Sequence, residues 1–180
     1  MRWLKHTTSI VAATSLIGLS AQAVTFAEEI DSLPNEEISC LAKNIYFEAK
    51  NQGTGGWLAV SFVTLNRVKD RRYPNTICEV VYQGQTRPSW QDSEKQIPIR
   101  HKCQFSWFCD GKPDEIKNQS KYMDILIFSN VMLDQATSTD MIDITDGATH
   151  YHADYVKPAW ASTKTKTIEI GDHIFYRWEK

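Results

Sequence analysis

At 180 residues the chain suits one compact domain with room for a real core, and its net charge of −2 lacks the basic footprint of a nucleic-acid binder. Six Trp, seven Tyr and seven Phe supply a packed core, or a groove whose aromatic faces stack on sugar rings.

The amino terminus carries the first organisational signal. Arg2, Lys5 and His6 precede the apolar run Ile10–Leu19, and Ala21-Gln22-Ala23 follows with small residues where a signal peptidase cuts. The run falls short of the ~20 apolar residues that a spanning helix needs. Residues 1–23 are therefore expected to be a signal peptide, with cleavage after Ala27 the weaker alternative. No membrane anchor is expected after cleavage. Losing Arg2 and Lys5 takes the charge from −2 to −4. Residues 24–35 form an acidic leader, and residues 36–180 the working domain.

Asn35 is placed to cap a helix whose first turn holds Glu36 and Glu37, the sign that the helix dipole favours. Ile38, Leu41, Ala42, Ile45, Tyr46 and Ala49 recur at helical spacing. Gly53, Gly55 and Gly56 end the helix in a loop, and a second helix runs from about Trp57 to Asp70. Apolar residues cover most of its circumference, which makes it central in the core. A short helix is expected over Asn75–Gln83. Gly84–Lys102 is polar, broken by proline and without periodicity, so it is expected to be a long loop. Asp114 is placed to cap a helix to about Gln135 with Ile116, Met123, Leu126, Ile127, Val131 and Met132 inward. Thr165–Ile170 and His173–Trp178 alternate as two short strands around a Gly171-Asp172 turn. The fold class is α+β, mostly helical, with a small C-terminal β element.

Cys40, Cys78, Cys103 and Cys109 all lie in the mature part, and an even count in an exported chain reads as two disulfides. Four cysteines allow three connectivities. Cys103 and Cys109 enclose a short loop and are natural partners. An antiparallel pairing of the first two helices brings Cys78 towards Cys40. A zinc site lacks the Cys-x-x-Cys spacing that usually announces one.

Glu48 lies about 20° from Leu41 on a helical projection, at the border of the apolar stripe. A carboxyl group half facing a core loses solvation, which favours its neutral form and suits a general acid. Glycoside cleavage often employs a second carboxylate, for which Glu79, Asp110, Asp146 and Asp154 are the candidates. One acid without a partner suits a reaction in which the sugar's own hydroxyl attacks, giving an anhydro product. Gln104, Phe105 and Ser106 sit inside the Cys103–Cys109 loop with Trp107 and Phe108. His150 and His152 share one face of an extended stretch, where Asp154 or His173 could complete a metal site, although substrate-facing roles are commoner for such a pair.

Leu41-Ala42-x-x-Ile45-Tyr46-Phe47-Glu48-Ala49, Asn66-Arg67-Val68, Pro74–Cys78, Gln104-Phe105-Ser106 and Gly147–His152 occur in one order. Together they resemble the cell-wall hydrolases of the SleB/CwlJ type, over about Cys40 to Tyr176. The resemblance implies a lysozyme-like fold without a cofactor or metal, and peptidoglycan glycan strands as partner. It implies Glu48 as the catalytic acid at the bond between N-acetylmuramic acid and N-acetylglucosamine, in a lytic transglycosylase or a muramidase. Gln104, Phe105, Ser106, Tyr151 and His152 are implied as substrate contacts, with Asn66 supporting the site. The chain departs from that pattern at Phe47, where a glycine is frequent, and at Gln52, where many relatives have a second acid. Two rival readings are a Cys/His amidase or endopeptidase using Cys40 with His150 or His152, and a sugar-binding module without catalysis.

Overall fold

The computed structural model describes residues 36–136 and 141–179. The expected signal peptide, leader and Asn35 cap lie outside the described residues. Helix α1, Glu36–Ala49, buries Ile38, Leu41, Ala42, Ile45, Tyr46 and Ala49, the stripe that its spacing predicts. Helix α2 spans Gly53–Lys69 and starts a turn earlier than expected, so Gly55 and Gly56 are helical. The reason is crowding: a Cβ on Gly56 would lie 2.3 Å from Cβ of Gln52, so only glycine lets the chain turn back this tightly. Trp57 then donates its indole N–H to the carbonyl of Ala49 at 3.0 Å, satisfying an orphan group at the end of α1.

α2 is buried on two sides. Trp57, Val60, Phe62 and Leu65 join the helical core, while Ala59 and Val63 pack with Ala148 and Phe175 beneath the C-terminal sheet. Helix α3, Ile77–Val81, is capped by the Thr76 hydroxyl, which accepts from Glu79 N–H. The Glu37 carboxylate accepts from the amides of Ile77 and Cys78 and so docks α1 on the start of α3. The disulfide Cys40–Cys78, with Cα atoms 5.2 Å apart, closes the same junction.

The expected long loop is instead a hairpin, β1 Gly84–Pro88 antiparallel to β2 Gln96–Cys103. Every β1 residue is exposed, so neither face imposes apolar alternation and the strands leave no periodic trace. Cys103 bonds Cys109 around a 3-10 turn, Ser106–Cys109. Helix α4, Gln119–Ala136, starts later than expected and is capped by Asn118, whose side chain accepts from Lys121 N–H at 3.0 Å. It packs on α1 through Ile125, Leu126, Ser129 and Met132. Ile127 and Val131 are 45% and 47% exposed and do not face inward as the sequence led us to expect.

Two of the three C-terminal strands follow the expected hairpin, β4 Thr165–Ile170 and β5 His173–Arg177, around Gly171 at φ +58°. A third, β3 His150–Ala153, pairs with the other edge of β5, giving the order β3-β5-β4. The architecture is mostly helical α+β, as expected, with a second β element in mid-chain. No described helix is long and apolar enough to cross a membrane.

Candidate active site

Glu48 stands in the last turn of α1, where the helix meets β3. Its Oε2 accepts a hydrogen bond of 2.9 Å from the Tyr151 hydroxyl. Burial pushes the Glu48 carboxyl above its usual range, while that hydrogen bond and the Arg67 charge partly oppose the shift. Tyr151 is held well above the ordinary phenol value, first by burial and then by the Glu48 charge, so it stays a proton donor.

Arg67 is the buried cation of α2, 4% exposed. Its Nε donates to the Thr149 carbonyl at 2.8 Å, and its guanidinium lies 4.7 Å from the Phe105 ring centre. Its Nη1 is buried with no partner. Glu48 and Arg67 thus share the wall of a cavity of about 420 Å³, with Gln104, Ser106, Tyr151, His152, Tyr155 and His173 around it. His152 is oriented from both ends: Nδ1 donates to the Ala153 carbonyl at 2.8 Å, which leaves Nε2 to accept from the Tyr176 hydroxyl at 3.0 Å. Burial lowers the His173 pKa, and its Nδ1 is buried without a partner. His173 enters the cavity wall neutral at pH 7.

The structure gathers Gln104, Ser106, Tyr151 and His152 at Glu48. Phe105 is 1% exposed and lies beneath Arg67, where it supports the floor and presents no face to a sugar. Asn66 does not line this cavity. Its amide donates to Asp143 Oδ2 at 2.8 Å and the Ala148 carbonyl at 3.0 Å, which fixes the loop that leads into β3. Phe47, in place of a glycine, stacks on Trp107 at 4.6 Å and joins α1 to the small disulfide loop. Asn44, one turn before Glu48, secures the same junction by accepting from the Trp107 indole N–H at 3.0 Å.

None of the four candidate partner acids lines the cavity. The Glu79 carboxylate accepts from the Thr76 hydroxyl, Asp110 holds the Lys112 amide, Asp146 pairs with Arg177, and Asp154 is exposed. Among the described residues that line it, Glu48 is the one carboxylate. Gln52 is taken up elsewhere: Nε2 donates to Asp172 Oδ2 at 2.8 Å while Oε1 accepts from Asp172 N–H at 3.1 Å. Cys40 is 4% exposed and disulfide-bonded, which removes it as a nucleophile and overturns the Cys/His reading. His150 packs among Tyr73, Trp160 and Trp178, and burial with the nearby Arg67 charge lowers its pKa to about 3. It lines a neighbouring cavity of about 270 Å³ with Arg67, Gln104, Tyr151 and Trp160. No group of three His, Cys, Asp or Glu among the described residues is arranged to hold a metal.

The sequence reading gave Arg67 no role beyond its place in a motif and considered His173 only for a metal site; the structure puts both in the wall beside Glu48. An Arg within a helix that is largely buried is a signal, because buried Arg is rare without a partner. His173 shares a strand face with Phe175, as alternation along β5 requires.

The profile of the cell wall hydrolase family matches residues 51–176. The chain belongs to that family. Glu48 stands just ahead of the matched stretch, and the other residues that line its cavity fall inside it. The hydrolase is similar in fold to the crystal structure of the catalytic domain of the Bacillus cereus SleB protein. The two are 25% identical, with a TM-score of 0.51, over 78% of this chain and 89% of that one. A second similar structure is the catalytic domain of the germination-specific lytic transglycosylase SleB from Bacillus anthracis. It is 22% identical, with a TM-score of 0.53, over 78% of this chain and 93% of the other. No curated protein matches the hydrolase.

Proposed function

We propose that this hydrolase cleaves the glycan strands of peptidoglycan between N-acetylmuramic acid and N-acetylglucosamine as a lytic transglycosylase, with Glu48 as acid and then base. One observation carries the reading: among the described residues a single carboxyl group lines the cavity, and burial holds it towards its neutral form. Protonated Glu48 gives its proton to the glycosidic oxygen as the C1–O bond breaks. The resulting carboxylate keeps the Tyr151 hydrogen bond and the attraction of Arg67. It then takes the proton of the muramic acid C6 hydroxyl as that oxygen bonds to C1. No water is consumed, so no second carboxylate is needed to activate one. Gln104, Ser106, Tyr151 and His152 supply hydrogen-bonding groups along the same wall.

Two disulfides among the described residues suit an oxidising compartment, and with the basic and apolar amino-terminal segment they support action outside the cytoplasm. The direct test is Glu48→Gln, which keeps size and hydrogen bonding but removes the acid. Release of soluble fragments from purified sacculi is expected to fall by roughly 10²–10⁴-fold while binding persists. Unchanged release would sink the assignment. A wild-type protein that binds sacculi without releasing fragments would favour the sugar-binding module.

A further inference from the structure

A second cavity, of about 690 Å³, opens where α2 ends and β5 runs out, lined in part by Lys69, Arg71, Arg72, Arg177, Thr149 and Trp178. Its charge runs against the rest of the chain, which is net negative. Arg72 pairs with Asp70, and Arg177 with Asp146 and Glu179. Lys69 and Arg71 take part in none of the ion pairs among the described residues, and the four cations of this concave wall outnumber the acids paired there, Asp70, which also lines it, Asp146 and Glu179. The wall is also preformed. The Asn66 amide fixes the loop behind it, and Trp178 is held by the Arg72 guanidinium at 5.0 Å and the Lys164 ammonium at 3.9 Å from its ring centre.

The cavity adjoins the Glu48 site through one strand. Thr149 lines it, while Tyr151, two residues on, holds Glu48, a separation of about 7 Å at the rise of an extended chain. His150 lies between them in sequence and touches both Trp160 and Trp178. That backbone separation of Thr149 and Tyr151 is shorter than one disaccharide repeat, and in peptidoglycan each muramic acid bears a peptide with free carboxylates. We propose that this cavity is an anion subsite that takes the stem-peptide carboxylates of the strand being cut, so that the enzyme prefers peptide-bearing glycan over bare glycan. The subsite rests on peptidoglycan being the substrate.

The test measures binding in the Glu48→Gln background, so that turnover does not enter. Its two ligands are solubilised glycan strands with their peptides and strands stripped of them by an amidase, which leaves one lactyl carboxylate on each muramic acid and none of the peptide's own. The Glu48→Gln protein is expected to bind peptide-bearing strands about tenfold more tightly, a preference that shrinks as salt is raised. Adding Lys69→Glu and Arg71→Glu, both exposed, should abolish the preference. The matched reversal Arg87→Glu with Lys95→Glu on the β1–β2 hairpin should keep it. Equal binding of both strands by the Glu48→Gln protein would overturn the subsite and leave the glycan reading intact. Binding to neither would overturn the substrate reading and the subsite with it. Tighter binding of a soluble phosphate polymer than of the peptide-bearing strands, lost with Lys69→Glu and Arg71→Glu, would overturn carboxylate as the ligand.

Discussion

At the residue scale the proposed chemistry rests on how Glu48 is solvated. Burial raises its pKa, so activity that needs the protonated acid falls as pH rises through that raised value. The Tyr151 hydroxyl donates to the carboxylate and so opposes the shift. Tyr151→Phe removes that opposition, and the alkaline limb of the rate profile should move to higher pH. A limb that stays in place or moves to lower pH would show that Tyr151 does not stabilise the carboxylate. The same shift has a consequence for stability. A carboxyl group whose pKa is higher folded than unfolded binds protons more tightly in the native state. The fold therefore loses stability as pH rises from 4.5, the ordinary value, through the folded one. Glu48→Gln has no such loss, so its melting temperature should gain on that of the wild type across this window. Parallel curves for the two proteins would contradict a buried, neutral-leaning carboxyl.

At the element scale, the site depends on how α1 and α2 are joined and on what the joint touches. Gln52 occupies that joint and clamps the β4–β5 turn through its two hydrogen bonds with Asp172. Gly171 is required there: its φ is +58°, and a Cβ would meet the Gln52 side-chain oxygen at 2.1 Å. Gln52→Ala is expected to cost roughly 1–2 kcal/mol for the two lost bonds. Gly171→Ala should cost roughly 1–3 kcal/mol, and less when Gln52 is already alanine, because the clash is then gone. Additive costs in denaturant unfolding would show that the two positions do not meet. Helix α1 and the β4–β5 turn were legible because each buries one face, and Gly-Asp marks the reversal. The β1–β2 hairpin was not, since β1 is exposed on both faces and β2 half-buries Ile97, Pro98 and Ile99 in succession, which leaves no alternation. Ile127 and Val131 misled for the opposite reason: they are apolar and helical yet face outward. The angle of Glu48 on α1 marked it only as a carboxyl group at the edge of the core, and the resemblance supplied its expected role. Arg67 meets Glu48 only because α2 lies beneath β3, a juxtaposition that no local pattern records.

Across the whole molecule, the Glu48 cavity is assembled from α1, α2, the small disulfide loop, β3 and β5, and the two disulfides serve it differently. Cys40–Cys78 spans 38 residues and fastens α1 to α3, while Cys103–Cys109 spans only 6 and carries Gln104 and Ser106. Chain entropy puts the long bridge at about 4 kcal/mol and the short one at about 2 kcal/mol. Replacing Cys40 and Cys78 by alanine should therefore lower the melting temperature more than replacing Cys103 and Cys109. The second pair should cost more of the activity that survives. The reverse order in both measurements would contradict the division between a stabilising and a site-shaping bridge.

The central claim is that one carboxyl group cuts the glycan without calling on water, and mass spectrometry of the fragments released from purified sacculi tests it most directly. Muropeptides ending in anhydromuramic acid from the wild type, and none from Glu48→Gln, are the predicted result. Reducing muramic acid ends, or intact glycan with cleaved stem peptides, would contradict it.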